Sequence, residues 1–422
     1  MKKASPLRRP LALAALAPWI VFLLPLLVYN FGFRYQGGGD STPAELLPIS
    51  LLRGGGFDFR EFVSGELPYW YRVVSGRVVS NYPILPGLLN VPLYGAAAIA
   101  GVDLDLEQHR LFLSAINASI LAALSVLFLY LALIRVCRSY KEALLFALAY
   151  AFGTTVWSVA SRSMLQHGPS VLFLSIALWA LLRGGAAVPW AGLALGLAVI
   201  NRPANIAIAV PLALYVLLHE QRRFLAFCAL AIPPALFHFW YANAYWGSPF
   251  STAQAVSTVN FGGNMGTGLA GLLVSPSRGL FVFSPFFLFA FAGIAASLRP
   301  ASAPARLARF LAAAIVLDLL IYSRWTMWWG GHCFGYRLLT ELAPLLTVLA
   351  AVGWPRIARS RAAAFLFALC VVFSFYVHFL GALVAPSGFN DDIDIQTTRL
   401  WNIRNSEIEL SKIGRASCRE RV

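Results

Sequence analysis

Charge is what this sequence has least of. Only 12% of its 422 residues are Asp, Glu, Lys or Arg, and acids are the scarcer sign, 18 against 33 basic residues. Soluble domains carry about a quarter of their residues as charges, so a water-soluble globular class is excluded. Cysteine is sparse as well. Cys137, Cys228, Cys333, Cys370 and Cys418 are scattered, three of them in or beside apolar runs. With no ligand spacing between them, they exclude a zinc site and a disulfide framework. No internal repeat is visible, and only one acid, Asp318, lies well inside an apolar run. Ion pathways through a bilayer need more than one such group.

What the chain has instead is apolar length. It is 59% hydrophobic and 14% aromatic, with a mean hydropathy of +0.70. Runs such as LALAALAPWIVFLLPLLVYNF (11–31) and LFLSAINASILAALSVLFLYLALI (111–134) reach the roughly 20 residues that cross a bilayer as a helix. The runs are continuous, not alternating, so the chain reads as helical and not as a barrel. The opening MKKASPLRRP and the run behind it read as an uncleaved first span, because Pro18, Trp19 and Pro25 interrupt a stretch too long for a signal peptide.

The net charge of +15 would suggest nucleic acid in a soluble protein, but the basic residues sit in short clusters between apolar runs and act as orientation signals. Placing Lys2, Lys3, Arg8, Arg9, then Arg135, Arg138, Lys141, then Arg222, Arg223, then Arg299, Arg306, Arg309, and finally WPRIARSR on the cytoplasmic side gives one consistent path. It predicts an all-α polytopic protein of about eleven transmembrane helices in a bacterial plasma (inner) membrane, with its N-terminus cytoplasmic. Residues 32–110 form a large first extracytoplasmic loop. Within it LPGLLNVPLYGAAAIAG (85–101) must be re-entrant or interfacial, since a full crossing would invert the parity. Three regions follow: a module over 1–245, further spans and outer loops over 246–385, and a polar tail over 386–422. The end of that tail, SKIGRASCRERV, is unlike the rest and reads as a non-native addition.

The polar residues gather at the outer ends of the spans. Asp40, in GGGDSTPAELLP, has no basic neighbour in sequence and is the candidate general base. A tight ion pair would lower its basicity, so the balancing charge is expected from far along the chain. Glu45 is a second acid of the same loop, while Asp58 and Glu61 read as surface groups of an amphipathic helix lying on the bilayer. Asn81 and Tyr82 precede a Pro-bounded turn and offer amide and hydroxyl groups to a substrate. His167 in SRSMLQHGPS, and His332 and Tyr336 in YSRWTMWWGGHCFGYRLLTELAP, are further binding candidates. Arg202 in INRPAN, Arg278 in SPSRG, Arg324 and Arg337 are arginines on the side that disfavours positive charge, which calls for an anion such as a lipid phosphate. Asn117-Ala-Ser spells a glycosylation acceptor but falls within a span, where it reads as helix packing. GTGLAG lacks a preceding strand and is not a nucleotide site.

Taken together, the acid after the first span, YPILPG, the run HRLFLSAINASILAALSVLFLYLALIRVCRSYKEALLFALAYAFGTTVWS, the NRP turn and WWGGHCFGYRLL resemble the GT-C membrane glycosyltransferases. The likeness is greatest to family-39-like bacterial members, akin to protein mannosyltransferases and lipid A aminoarabinose transferases, and covers most of 10–385. It implies transfer of a sugar from a polyprenyl-phosphate donor to an acceptor hydroxyl at the outer face, with Asp40 as the base and the arginines on the donor phosphate. Family members often carry adjacent acids where this chain has Asp40-Ser41. A divalent cation is compatible with the sequence and not required by it, and no metal ligands are assigned. The membrane bilayer and the lipid donor are the expected partners, and nucleic acid is not. The competing expectation is a polytopic transporter or lipid flippase, which would place ionisable groups near the midplane.

Overall fold

The computed structural model describes residues 11–32, 37–250, 261–298, 302–384, 389–390 and 392–413. Lys2, Lys3, Arg8, Arg9, Arg299 and Cys418 lie outside the described residues. The molecule is mostly helical, with one small β-hairpin. Three helices are long and apolar enough to cross a membrane, namely Glu107–Leu133, Gln221–Trp246 and Arg361–Leu383, and nine shorter apolar helices accompany them among the described residues.

The elements follow the hydropathy. Helix α1 (Leu11–Tyr29) contains Pro18 and Pro25. Helix α2 (Thr42–Leu52) starts two residues after Asp40, with a proline in its first turn where the missing N–H costs nothing. Helix α3 (Leu85–Ile99) is 15 residues long, roughly 22 Å at 1.5 Å per residue, short of the roughly 30 Å hydrocarbon core. It packs on α2. Then come α4 (Glu107–Leu133), α5 (Tyr140–Phe152), α6 (His167–Arg183), α7 (Val188–Asn201), α8 (Ile206–His219), α9 (Gln221–Trp246), α10 (Met265–Val274), α11 (Ala290–Ser297), α12 (Ala303–Ser323), α13 (Leu342–Ile357) and α14 (Arg361–Leu383). The main core is built largely from α4, α5, α6, α7 and α13, through buried Ala, Leu and Val side chains such as Ala122, Val126, Ala147, Leu174, Leu195 and Leu345. Asn117 of α4 donates to Asn90 Oδ1 at 2.7 Å and Leu89 O at 2.9 Å in α3, which is the helix-packing role expected of it.

Two local readings are corrected. The stretch before Tyr82 is a hairpin, β1 (Tyr71–Val74) paired antiparallel with β2 (Arg77–Ser80). Ser75 and Gly76 both have positive φ, 48° and 77°, the type I′ geometry that matches strand twist. Asp58 is not on an amphipathic helix. It sits in a turn, accepts from the backbone N of Arg60 and Val78 at 3.1 and 3.0 Å and pairs with Arg60 at 2.7 Å, tying that turn to the hairpin. A second, smaller core of Leu47, Phe57, Phe59, Tyr71, Tyr94 and Tyr241 fastens this unit of α2, α3 and the hairpin onto α9.

Glu45 belongs to the interior of that unit and not to a substrate site. It faces in from the first turn of α2, is 4% exposed, and its Oε1 has no hydrogen-bond partner. Burial raises its pKa to about 7, against a smaller lowering by Ser41 and Arg110. A carboxyl protonated in the fold and ionised when unfolded stabilises fully below pH 4.5 and loses that contribution as pH rises through 7. The unfolding free energy of the detergent-solubilised protein, followed through its thermal midpoint, is therefore expected to fall between pH 4.5 and 7, by an amount on the order of 3 kcal/mol. In Glu45→Gln this slope should flatten, and an unchanged slope would assign it elsewhere.

Candidate functional site

Three chain segments far apart in sequence meet above the helix ends. The first is the Gly37–Ser41 loop. A Cβ on Gly39 would lie 2.4 Å from both the Tyr69 hydroxyl and the Trp70 ring, so only glycine lets the loop lie flat on these aromatics. That contact presents Asp40 to the hydroxyls of Tyr69, at 3.0 Å, and Tyr82, at 2.5 Å, both donating to Oδ1. The second segment is the start of α6, which supplies His167. The third is the loop 324–341 between α12 and α13, which brings Arg337 onto Oδ2 of Asp40.

Behind this pair runs a buried chain of polar contacts. Arg337 Nε donates to His167 Nε2 at 3.0 Å. A guanidinium can only donate, so Nε2, which faces only Arg337, accepts, and the imidazole proton is assigned to Nδ1 and given to Glu341 Oε1 at 3.0 Å; Arg202 Nη1, 3.1 Å from the same Nδ1, then donates to Glu341 and not to the ring. Glu341 Oε2 is held by Arg202, whose guanidinium lies 4.9 Å from the centre of the Tyr322 ring. His167, Arg202 and Glu341 are all below 5% exposed. With a neutral imidazole the two arginines balance the two carboxylates, the condition under which buried charges are tolerated. Arg202 caps the C-terminus of α7 and Glu341 precedes α13.

The ion pair, His167 and Arg202 border one cavity of about 1150 Å³, with Glu341 outside its lining. Of the candidates from sequence, Asp40, Asn81, Tyr82, His167, Arg202, His332 and Arg337 border it. Asn81 acts chiefly as a brace, its amide donating to the carbonyls of Tyr69 and Tyr71. Arg324 is exposed and lines a neighbouring apolar groove of about 660 Å³ between α8 and α12. Phe261 and Ile321 border both spaces.

Three candidates are misplaced by the sequence reading. Arg278 is wholly buried, and four of its five N–H donors are committed, to Glu407 at 2.7 Å, Asn390 at 2.7 Å, Trp329 O at 3.0 Å and Ser277 O at 2.8 Å, so it is not presented to a phosphate in the cavity. Tyr336 is buried with its hydroxyl on Ser284 at 2.7 Å, in a core network with His378. Glu45 lies buried at the start of α2, away from the cavity lining. The expectation that Asp40 escapes a tight ion pair also fails, because Arg337 comes from 297 residues away to make one.

Sequence reasoning missed Glu341, Tyr69, Arg72, Tyr322 and Asp394. Glu341 carried a usable signal, an acid four residues after Arg337 at the mouth of an apolar run. Ser41, in the place of an adjacent acid, turns its hydroxyl back to Gly38 O at 3.1 Å and is 1% exposed, so a carboxylate there would be buried. Among the described residues no cluster of His, Cys, Asp and Glu could hold a metal ion. No protein-family model matches the chain, and no curated protein matches it in sequence.

Burial works to raise the Asp40 pKa, but the Arg337 charge and the hydrogen bonds from Tyr82, Arg337 and Tyr69 together outweigh it and hold the carboxyl below the ordinary range. Removing the cation leaves burial in place. Arg337→Gln should therefore move Asp40 protonation upward by about 1–3 pH units, followed as the carboxyl infrared band absent from Asp40→Asn. An unchanged midpoint would mean that the tyrosines alone set it.

Proposed function

We propose that this protein is a GT-C-like membrane glycosyltransferase, crossing the bilayer about eleven times and moving a sugar from a polyprenyl phosphate to an acceptor hydroxyl at its extracytoplasmic face. The observation that carries the reading is the single cavity in which one carboxylate, Asp40, stands beside two arginines, Arg337 and Arg202. Its lining comes from the ends of helices that the basic clusters orient outward: the end of α7, the start of α6 and the loops before α2 and α13. A carrier would concentrate such groups near the midplane of broken helices, and Asp318 alone does not make that pathway.

The chemistry follows from the charges. A sugar on a lipid phosphodiester already has a good leaving group, so one base suffices and the acid of a glycosidase pair is not needed. The acceptor oxygen attacks the anomeric carbon from the face opposite the phosphate, its proton passes to Asp40, and the bond between the anomeric carbon and the phosphate oxygen breaks with inversion. The phosphate gains one negative charge as it departs. Arg337 has Nη1 uncommitted, and Arg202 borders the same space. Preorganised donors of this kind contribute a few kcal/mol each to a growing oxyanion. As Arg337 turns to the phosphate its hold on Asp40 relaxes, and the carboxylate becomes more basic when the proton is to be taken. The apolar groove lined by Ile206, Val210, Leu317 and Leu320, with Arg324 in it, offers the lipid tail a lateral way in.

Asp40→Asn keeps the Tyr69 and Tyr82 contacts within reach and should lower transfer from an undecaprenyl-phosphate-linked sugar by about 10²–10⁴-fold, with normal membrane insertion. A panel of such donors carrying different hexoses and pentoses, incubated with membranes containing the protein, measures this. Full activity in Asp40→Asn would remove the aspartate from the mechanism, and no transfer from any lipid-linked donor by the unaltered protein would remove the enzyme.

A further inference from the structure

The Arg278 clasp opens a question that the donor pocket does not answer. A fully buried arginine with four hydrogen bonds is held at some cost in desolvation, and its partner Glu407 lies far away at the start of a short helix, Glu407–Ile413. What these groups hold between them is the loop that carries Arg337. Arg278 Nε donates to Trp329 O at 3.0 Å. Asn390 Nδ2 donates to Cys333 O at 3.3 Å. Glu407 Oε2 accepts from the backbone N of Gly335 at 2.8 Å, two residues before Arg337.

That loop needs bracing. Gly330, Gly331 and Gly335 all have positive φ, 78°, 70° and 64°, so its backbone has many alternatives once unbraced. A Cβ on Gly335 would meet the Phe283 ring at 2.8 Å, which fixes glycine there and leaves the restraint to Glu407. The same C-terminal segment reaches the cavity itself. Asp394 lines it, accepting from Trp329 Nε1 at 2.9 Å and lying 3.2 Å from His332 Nε2.

We infer that the C-terminal segment, through Asn390, Asp394 and Glu407, is a working part of the cavity, in which Glu407, clasped by Arg278, is the positioning residue that sets Arg337 for a phosphate. Glu407 touches no substrate. It acts through Gly335, and removing it frees the loop and not the cavity's other walls. The inference rests on the phosphate role of Arg337 proposed above.

A double-mutant cycle on the full chain in nanodiscs, read as undecaprenyl phosphate affinity, tests it. Arg337→Ala should weaken binding. Glu407→Ala should weaken it by about fivefold or more, while Glu407→Gln, which keeps an acceptor for Gly335 and a partner for Arg278, should recover most of the loss. In the Arg337→Ala background Glu407→Ala should add less than about twofold, because contacts that act through one group do not add. If Glu407→Ala does not yield folded protein, Asn390→Ala takes its place in the cycle, with a smaller loss expected and the same non-additivity. Full additivity, or wild-type affinity in both Glu407→Ala and Asn390→Ala, overturns the positioning role while leaving the phosphate reading intact. Unchanged affinity in Arg337→Ala overturns the phosphate reading and this inference with it.

Discussion

The ion pair between Asp40 and Arg337 is the constraint on which the rest of the site depends. Both side chains are largely withdrawn from water, 23% and 11% exposed, in a chain with very few charges. Two such groups are tolerated at that depth only together. Each therefore fixes the other, and the loop after α1 is tied to the loop before α13 across most of the sequence. The remaining architecture supplies what the pair lacks: hydroxyls for the second carboxylate oxygen, and an imidazole acceptor for the third face of the guanidinium.

The line of contacts behind Arg337 explains why it holds a fixed orientation. His167 can accept from Arg337 only if its proton is on Nδ1, and Glu341 keeps it there. Glu341 would be an uncompensated buried charge without Arg202. The relay thus converts the position of α7 and α13 into the orientation of one guanidinium. From the other side, the glycine-rich loop is pinned by Arg278 and Glu407. Arg337 is in this way specified from behind by side chains and from below by backbone contacts, the double support that a precisely held ligand group needs.

Legibility in the sequence followed the range of the interactions involved. The helices were legible because each is written in local hydropathy, and the short length of α3 agrees with the prolines that interrupt its apolar run. The hairpin was missed although VVSGRVVS carries a two-residue Ser-Gly turn between β-branched residues, since the apolar context drew the reading toward helices. Asp40, Arg202 and Arg337 could be picked out as polar groups at the ends of apolar runs. Their partnership could not, because a contact across 297 residues leaves no local trace. Arg278 shows the opposite failure: an arginine among apolar runs calls for an acidic partner, and it has one, but that partner is Glu407 of the same chain.

A paired aspartate is at first sight a poor base, and the pairing sets a condition on any reaction that uses it. The carboxylate regains basicity only when something else claims Arg337, and the group that can do so must be an anion entering the cavity. A neutral substrate would leave Asp40 held and weak. A lipid phosphate would draw the guanidinium toward itself, more strongly as the bond to the sugar breaks and its charge grows. On that reading the ion pair couples the state of the base to the presence of the leaving group, and an acceptor hydroxyl arriving without a donor finds no competent base. This is the reason to prefer a phosphate-linked donor over a free sugar or a glycoside. It rests on the charge balance of four side chains, and no likeness to another protein is needed for it.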